Sequence, residues 1–153
     1  MWTTARARTP GRTFQPRSGR RSPGACRSYA GGYELPGPTW CRPDLQAVVG
    51  KATRIISNHH DILSGLRELS REVPMNFPAI LAREQGLSLA EAFVRVGELA
   101  DTDTRSFIDL ADRLLATNPG PSVEGYINGL KAWIRGNLDW SLTTGRYHVH
   151  DYL

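Results

Sequence analysis

The chain is short of several things, and each shortage excludes something. It has two cysteines in 153 residues, Cys26 and Cys41. They lack Cys-x-x-Cys spacing and no apolar leader precedes them, which argues against a disulfide scaffold or a cysteine zinc site and for a reducing, cytoplasmic setting. No apolar run approaches the length of a membrane span, so a soluble chain with no membrane partner is expected. Alternating strand patterns are almost missing, which leaves an all-α fold. No Asp-Asp or Asp-Glu pair occurs anywhere.

Acid is also missing from one end. No Asp or Glu precedes Glu34, whereas Arg6, Arg8, Arg12, Arg17, Arg20, Arg21 and Arg27 supply seven of the 19 basic residues. The net charge of +4 therefore belongs to the tail, because the remainder carries 12 basic against 15 acidic residues. Residues 1–27, rich in Arg, Ser, Thr, Gly and Pro, cannot bury enough apolar surface to offset the entropy of ordering, so a disordered tail is expected. A transit peptide and a polyanion-binding arm are the alternatives its composition allows, as is a wrong start or a shifted reading frame. Nucleic acid is not expected as a partner. Residues 28–153 form the helical region.

In that region Pro43 suits a first helical position, and Leu45, Val49, Ala52, Ile56, His59, Leu63 and Leu66 recur in steps of four and three. They predict a helix over about 43–72, after a "YELPGPTWCRPD" stretch kept extended by its prolines. A short helix over about 76–84 should stop at Gly86. Ser88 and Glu91 form a capping box for a helix over about 89–117, with Phe93, Val96, Leu99, Ala100, Phe107, Ile108, Ala111, Leu114 and Leu115 inward. The apolar period fails at 101–103, which predicts a kink or interruption there, and Asp101, Asp103, Asp109 and Asp112 read as a solvated face. "NPGP" at 118–121 ends this helix. Ser122 can cap a last helix over about 123–141, with Tyr126, Ile127, Leu130, Trp133, Ile134 and Leu138 buried. Short connections imply antiparallel neighbours.

The first long helix carries the chemistry. His60, Ser64 and Glu68 fall at steps of four, on one line of the cylinder. A hydroxyl, a carboxylate and a third donor, with positions left for water and phosphate, is how a protein holds magnesium without a full cage. Arg67 beside them can pair with a phosphate oxygen.

"HDILSGLRE", His60–Glu68, resembles the second metal-binding motif of class I terpene synthases, N-D-x-x-S-x-x-K/R-E, matched at Asp61, Ser64, Arg67 and Glu68. "GLKAWIRGNLDWSLTTGRY", 129–147, is similar to the last long helix of bacterial terpene cyclases and the Arg-Tyr pair beyond it. "YELP", Asn76 and "LSLAEAF" stand in family-like order. The resemblance spans about 28–147 and implies the C-terminal half of the isoprenoid synthase fold. It implies magnesium held by Ser64, Glu68 and His60, and diphosphate held by Arg67, Arg146 and Tyr147. It further implies a farnesyl or geranyl diphosphate substrate, ionised and cyclised with loss of diphosphate in an apolar cavity; Trp133 and Trp140 could face its cation, but at helical spacing they read as core and surface packing.

Two departures stand out. His60 replaces the family's Asn, and imidazole suits softer metals better than magnesium. The family's aspartate-rich motif is absent, and a complete enzyme is about twice this length, so the chain reads as a truncated C-terminal part. The competing reading is a non-catalytic helical remnant or interaction module, whose exposed apolar faces would favour self-association. His59, on the apolar stripe, reads as a packed residue. His148 and His150 read as a solvated tail.

Overall fold

The computed structural model describes residues 35–69 and 76–147. The Arg-rich tail, His148 and His150, and the end of the first long helix beyond Leu69 lie outside the described residues. Within them the chain is helical throughout: α1 (Gly37–Trp40), α2 (Pro43–Leu69), α3 (Phe77–Gln85), α4 (Leu89–Ala116), α5 (Pro121–Thr143) and a 3₁₀ turn, Gly145–Tyr147.

Local chemistry sets most of the ends. Pro43 opens α2, where a missing N–H costs nothing. Asn76 caps α3 by accepting from the Ala79 amide at 2.9 Å, and Gly86 ends it in the left-handed region at φ 65°. The expected capping box is present: the Glu91 amide donates to Ser88 Oγ at 3.3 Å and the Ser88 amide to Glu91 Oε2 at 2.9 Å. Two ends differ from expectation. Gly37–Trp40 is one helical turn rather than extended, closed by the Trp40 amide donating to the Pro36 carbonyl at 2.9 Å. The last helix starts at Pro121, with Gly120 as its N-cap and no side-chain cap, so Ser122 lies inside the first turn that the proline organises.

α2 is the central element, packed against α4 on one side and α5 on another. Its buried apolar residues are Leu45, Val48, Ala52 and Ile55, about one position away from the expected stripe. A helix with two neighbours buries the strip between them, so Val49 and Ile56 are only half-buried. The core joins these to Phe107, Ala111 and Leu114 of α4 and to Val123, Tyr126, Ile127 and Leu130 of α5. On α4 the fully covered line runs through Ala92, Val96, Ala100 and Ala111, while Ile108, expected inward, is 48% exposed. Small side chains along that line let α2 approach closely, and Ile108 falls beyond the edge of the contact.

No break occurs at 101–103, because α4 is one helix from Leu89 to Ala116. The polar residue that interrupts the period is buried and paired. Asp103 accepts from Lys51 Nζ at 2.6 Å, Arg54 Nε at 2.8 Å and Arg54 Nη2 at 3.1 Å, clamping α4 to α2. Asp103 is therefore not part of a solvated face. Asp101 and Asp109 are exposed, as expected, and exposed Asp112 lies 3.4 Å from Lys131.

Two groups away from full exposure make stability fall on acidification, beside the exposed Asp44 and Glu91, which are lowered too. Burial holds the His59 imidazole below its ordinary pKa, partly countered by Asp101. The Arg54 hydrogen bond holds the Asp103 carboxyl below the usual carboxylate range, with burial opposing and Lys51 assisting. Both are depressed in the folded state, so the unfolded chain binds more protons and stability declines with falling pH. The decline should begin below about pH 6.5, where free histidine titrates, and steepen below about pH 4, where free aspartate does. Urea midpoints measured from pH 8 to pH 3 should show both phases, and His59→Leu should remove the first only.

Candidate functional site

The last turns of α2 carry the line of His60, Ser64 and Glu68. His60 has a side chain 49% exposed, Glu68 is half-buried, and Ser64 is 2% exposed. Ser64 Oγ is buried with no hydrogen-bond partner among the described residues. His59 Nδ1, Asn76 Nδ2 and Asn137 Oδ1 share that state, but the other helical hydroxyls with a described bond do not. Thr53, Thr102, Thr104, Ser106 and Thr143 each donate their hydroxyl to the carbonyl four residues back, at 2.8–3.0 Å. Ser64 has the same option on its helix and does not take it. An unpaired buried hydroxyl costs about 1–3 kcal/mol, which makes this oxygen a candidate ligand atom.

The neighbouring motif residues have structural work. Asp61 Oδ2 accepts from the Phe77 amide at 3.0 Å, fixing the start of α3 onto α2. Its other oxygen lies 3.3 Å from His60 Nδ1. Asp61 is thus a bracket between helices, a role the sequence pattern did not suggest. Asn76, 1% exposed, has its oxygen on the α3 cap, and its Nδ2 is buried without a partner among the described residues. Gly65 faces Phe93 of α4, whose ring occupies the place a Cβ would take. Arg67 is half-buried.

The C-terminal pair arrives from α5. The 3₁₀ turn packs on α2, and the Tyr147 ring lies edge-on between two others: His60 at 6.2 Å and 87°, and Trp140 at 6.0 Å and 87°. Arg146 is exposed, with its amide donating to Thr144 Oγ1 at 3.4 Å. The structure therefore brings Tyr147 to the first residue of the line, with Ser64 and Glu68 one and two turns further along. Among the described residues the Arg146 guanidinium bonds to none of them. Trp133 is half-buried against the core, and Trp140 is 51% exposed.

The donor set can be tested against a metal. Among the described residues no three His, Cys, Asp or Glu side chains converge on one point, so an acid cage is not present. What fits a hard cation is the pairing of a carboxylate with the unpartnered Ser64 hydroxyl, an oxygen set that leaves most positions for water and phosphate. A broad open groove of about 480 Å³ lies elsewhere, lined by residues of α4 such as Val94, Arg95 and Glu98, and none of the motif residues reaches it.

A sequence model described as terpene synthase family 2, C-terminal metal binding, matches residues 25–106, which include the whole His60–Glu68 line. The chain belongs to this family. Among curated proteins it is 34% identical to 2-methylisoborneol synthase of Streptomyces lasalocidi over 80% of this chain and 26% of that protein. It is 30% identical to 10-epi-cubebol synthase of Sorangium cellulosum over 80% of this chain and 40% of that protein. The crystal structure of 2-methylisoborneol synthase from Streptomyces coelicolor in complex with Mg²⁺ and geranyl-S-thiolodiphosphate superposes with a TM-score of 0.77 at 30% identity. That superposition covers 85% of this chain and 42% of the synthase. The chain thus spans about a quarter to two fifths of the terpene synthases it matches, and it has their all-α fold. Among the described residues no helix is long and apolar enough to cross a membrane.

Proposed function

We propose that this chain is the metal-motif portion of a magnesium-dependent terpene synthase that acts on a prenyl diphosphate, geranyl or farnesyl, in the cytoplasm. The observation that carries the reading is the buried Ser64 hydroxyl, without a partner among the described residues, on the same helical line as Glu68 and inside the segment matched by a metal-binding family. Ser64 and Glu68 would hold one magnesium ion, which when bound supplies positive charge to a departing diphosphate. The chain's own residues do the rest. Arg67 and Arg146 offer guanidinium donors suited to phosphate oxygens. Tyr147, whose ring meets His60, would bring Arg146 toward the motif. Breaking the allylic C–O bond leaves the electron pair on diphosphate, and these donors stabilise that charge where it develops.

Neither the aspartate pair of the sequence family nor the remaining length of the relatives is present in this chain. The proposal is therefore of the metal-motif part of a synthase, and the alternative is a non-catalytic helical module. Exposed Leu89, Val94, Ile108, Trp140 and Leu142 support docking or self-association of the helical part. The test is calorimetric titration of the full chain with inorganic pyrophosphate at fixed magnesium. Glu68→Gln and Ser64→Ala should each weaken magnesium-dependent binding by about tenfold or more, the scale of losing one metal contact. Wild-type affinity in both variants would remove the site.

A further inference from the structure

We propose that His60 is a positioning residue: its ring seats the Arg146–Tyr147 turn on α2, and it is not a ligand to the metal. Three observations converge. The His60 ring meets Tyr147 edge to face at 6.2 Å and 87°, and Trp140 meets the same tyrosine at 6.0 Å and 87°. Tyr147 is thereby gripped between a residue of α2 and one of α5, and this grip is part of how the 3₁₀ turn lies against α2. Next, His60 Nδ1 lies 3.3 Å from Asp61 Oδ1. A carboxylate only accepts, so that nitrogen carries the proton and the ring plane is set by Asp61. Asp61 in turn is fixed by the Phe77 amide at 3.0 Å. The ring is therefore oriented from the α3 side and used from the α5 side, forming one continuous chain from Phe77 through Asp61 and His60 to Tyr147 and Trp140.

An asparagine at position 60 could reach Asp61 but has no ring to offer Tyr147. The aromatic partner is what histidine adds here. Edge-to-face pairs prefer centroid separations of about 4.5–7 Å, and both contacts fall inside that range. The seating rests on these contacts and not on any ligand. Its purpose, holding Arg146 where it can meet diphosphate, rests on the function proposed above.

Trypsin supplies a local readout, because the Arg146–Tyr147 bond lies within the turn. Release of segment 147–153 from the full chain, followed by mass spectrometry without ligand, tracks how often the turn leaves α2. His60→Ala and His60→Asn should speed that release roughly three- to tenfold, the factor corresponding to one aromatic pair, and His60→Phe should restore wild-type protection. Trp140→Ala should speed it similarly from the other side of Tyr147. In the pyrophosphate titration with magnesium, His60→Phe should bind as wild type does. Unchanged release in His60→Ala and His60→Asn overturns the seating, and loss of magnesium-dependent binding in His60→Phe overturns the claim that His60 is not a ligand. If no variant, wild type included, binds pyrophosphate, the function proposed above fails while the protease result still decides the seating.

Discussion

Replacing Asp103 by alanine is expected to lower the free energy of unfolding by about 2–3 kcal/mol, read as a drop in urea midpoint with an unchanged slope. The carboxylate is 13% exposed and bonds two cations, Lys51 with a side chain 23% exposed and Arg54 with one 57% exposed. Removing one partner of a buried pair costs about 3–5 kcal/mol because the other charge stays unpaired in low dielectric. Here the cations are partly exposed and can turn toward water on their long stems, which reduces the figure. Asp103→Asn should fall between, since an amide oxygen still accepts one bond. Replacing Lys51 by Met and Asp103 by Leu together should recover part of the loss, because the more covered cation leaves with its partner and Arg54, 57% exposed, can turn to water. If Asp103→Ala melts like wild type, the clamp is not what joins α4 to α2. The clamp also lies upstream of the line of His60, Ser64 and Glu68 on the same helix, so its loss would let that line shift relative to α4.

The second large effect is in the core. Tyr126 is 1% exposed, the largest of the fully covered side chains, and meets the Trp40 ring at 5.9 Å and 82°. Tyr126→Ala should cost about 3–5 kcal/mol, combining lost transfer energy with the cavity left between α1, α2 and α5. Trp40 is half-buried against that core, so its emission should shift toward the red in the variant even before unfolding. Tyr126→Phe, which keeps the ring, should lose far less. Equal stability of Tyr126→Ala and Tyr126→Phe would mean that the ring is not a core element.

What could be read from the sequence was whatever the chain settles within a few residues of itself. The Ser88–Glu91 box spans three residues, Pro43 and Gly86 act at their own positions, and the His60–Ser64–Glu68 line follows from helical pitch. What could not be read depends on partners far along the chain. Asp103 looked like a flaw in an apolar stripe because Lys51 and Arg54 lie 52 and 49 residues away. The buried strip of α2 turned by about one position because periodicity reports one neighbour, whereas α2 has two long ones. The first turn of α5 was placed by Pro121, not by the serine after it, since a proline already has the φ a helix needs. For the candidate site, the residue types and their line were legible. The ring contact of His60 with Tyr147 was not, since no local pattern links the end of α2 to a turn beyond α5. Nor was the bracket made by Asp61, which needs the start of α3 to fold back.

Among the described residues Ser64 keeps a hydroxyl that bonds nothing, whereas Thr53, Thr102, Thr104, Ser106 and Thr143 turn theirs back on the carbonyl four residues earlier. Its removal breaks no bond within the helix, so Ser64→Ala should keep or raise the urea midpoint.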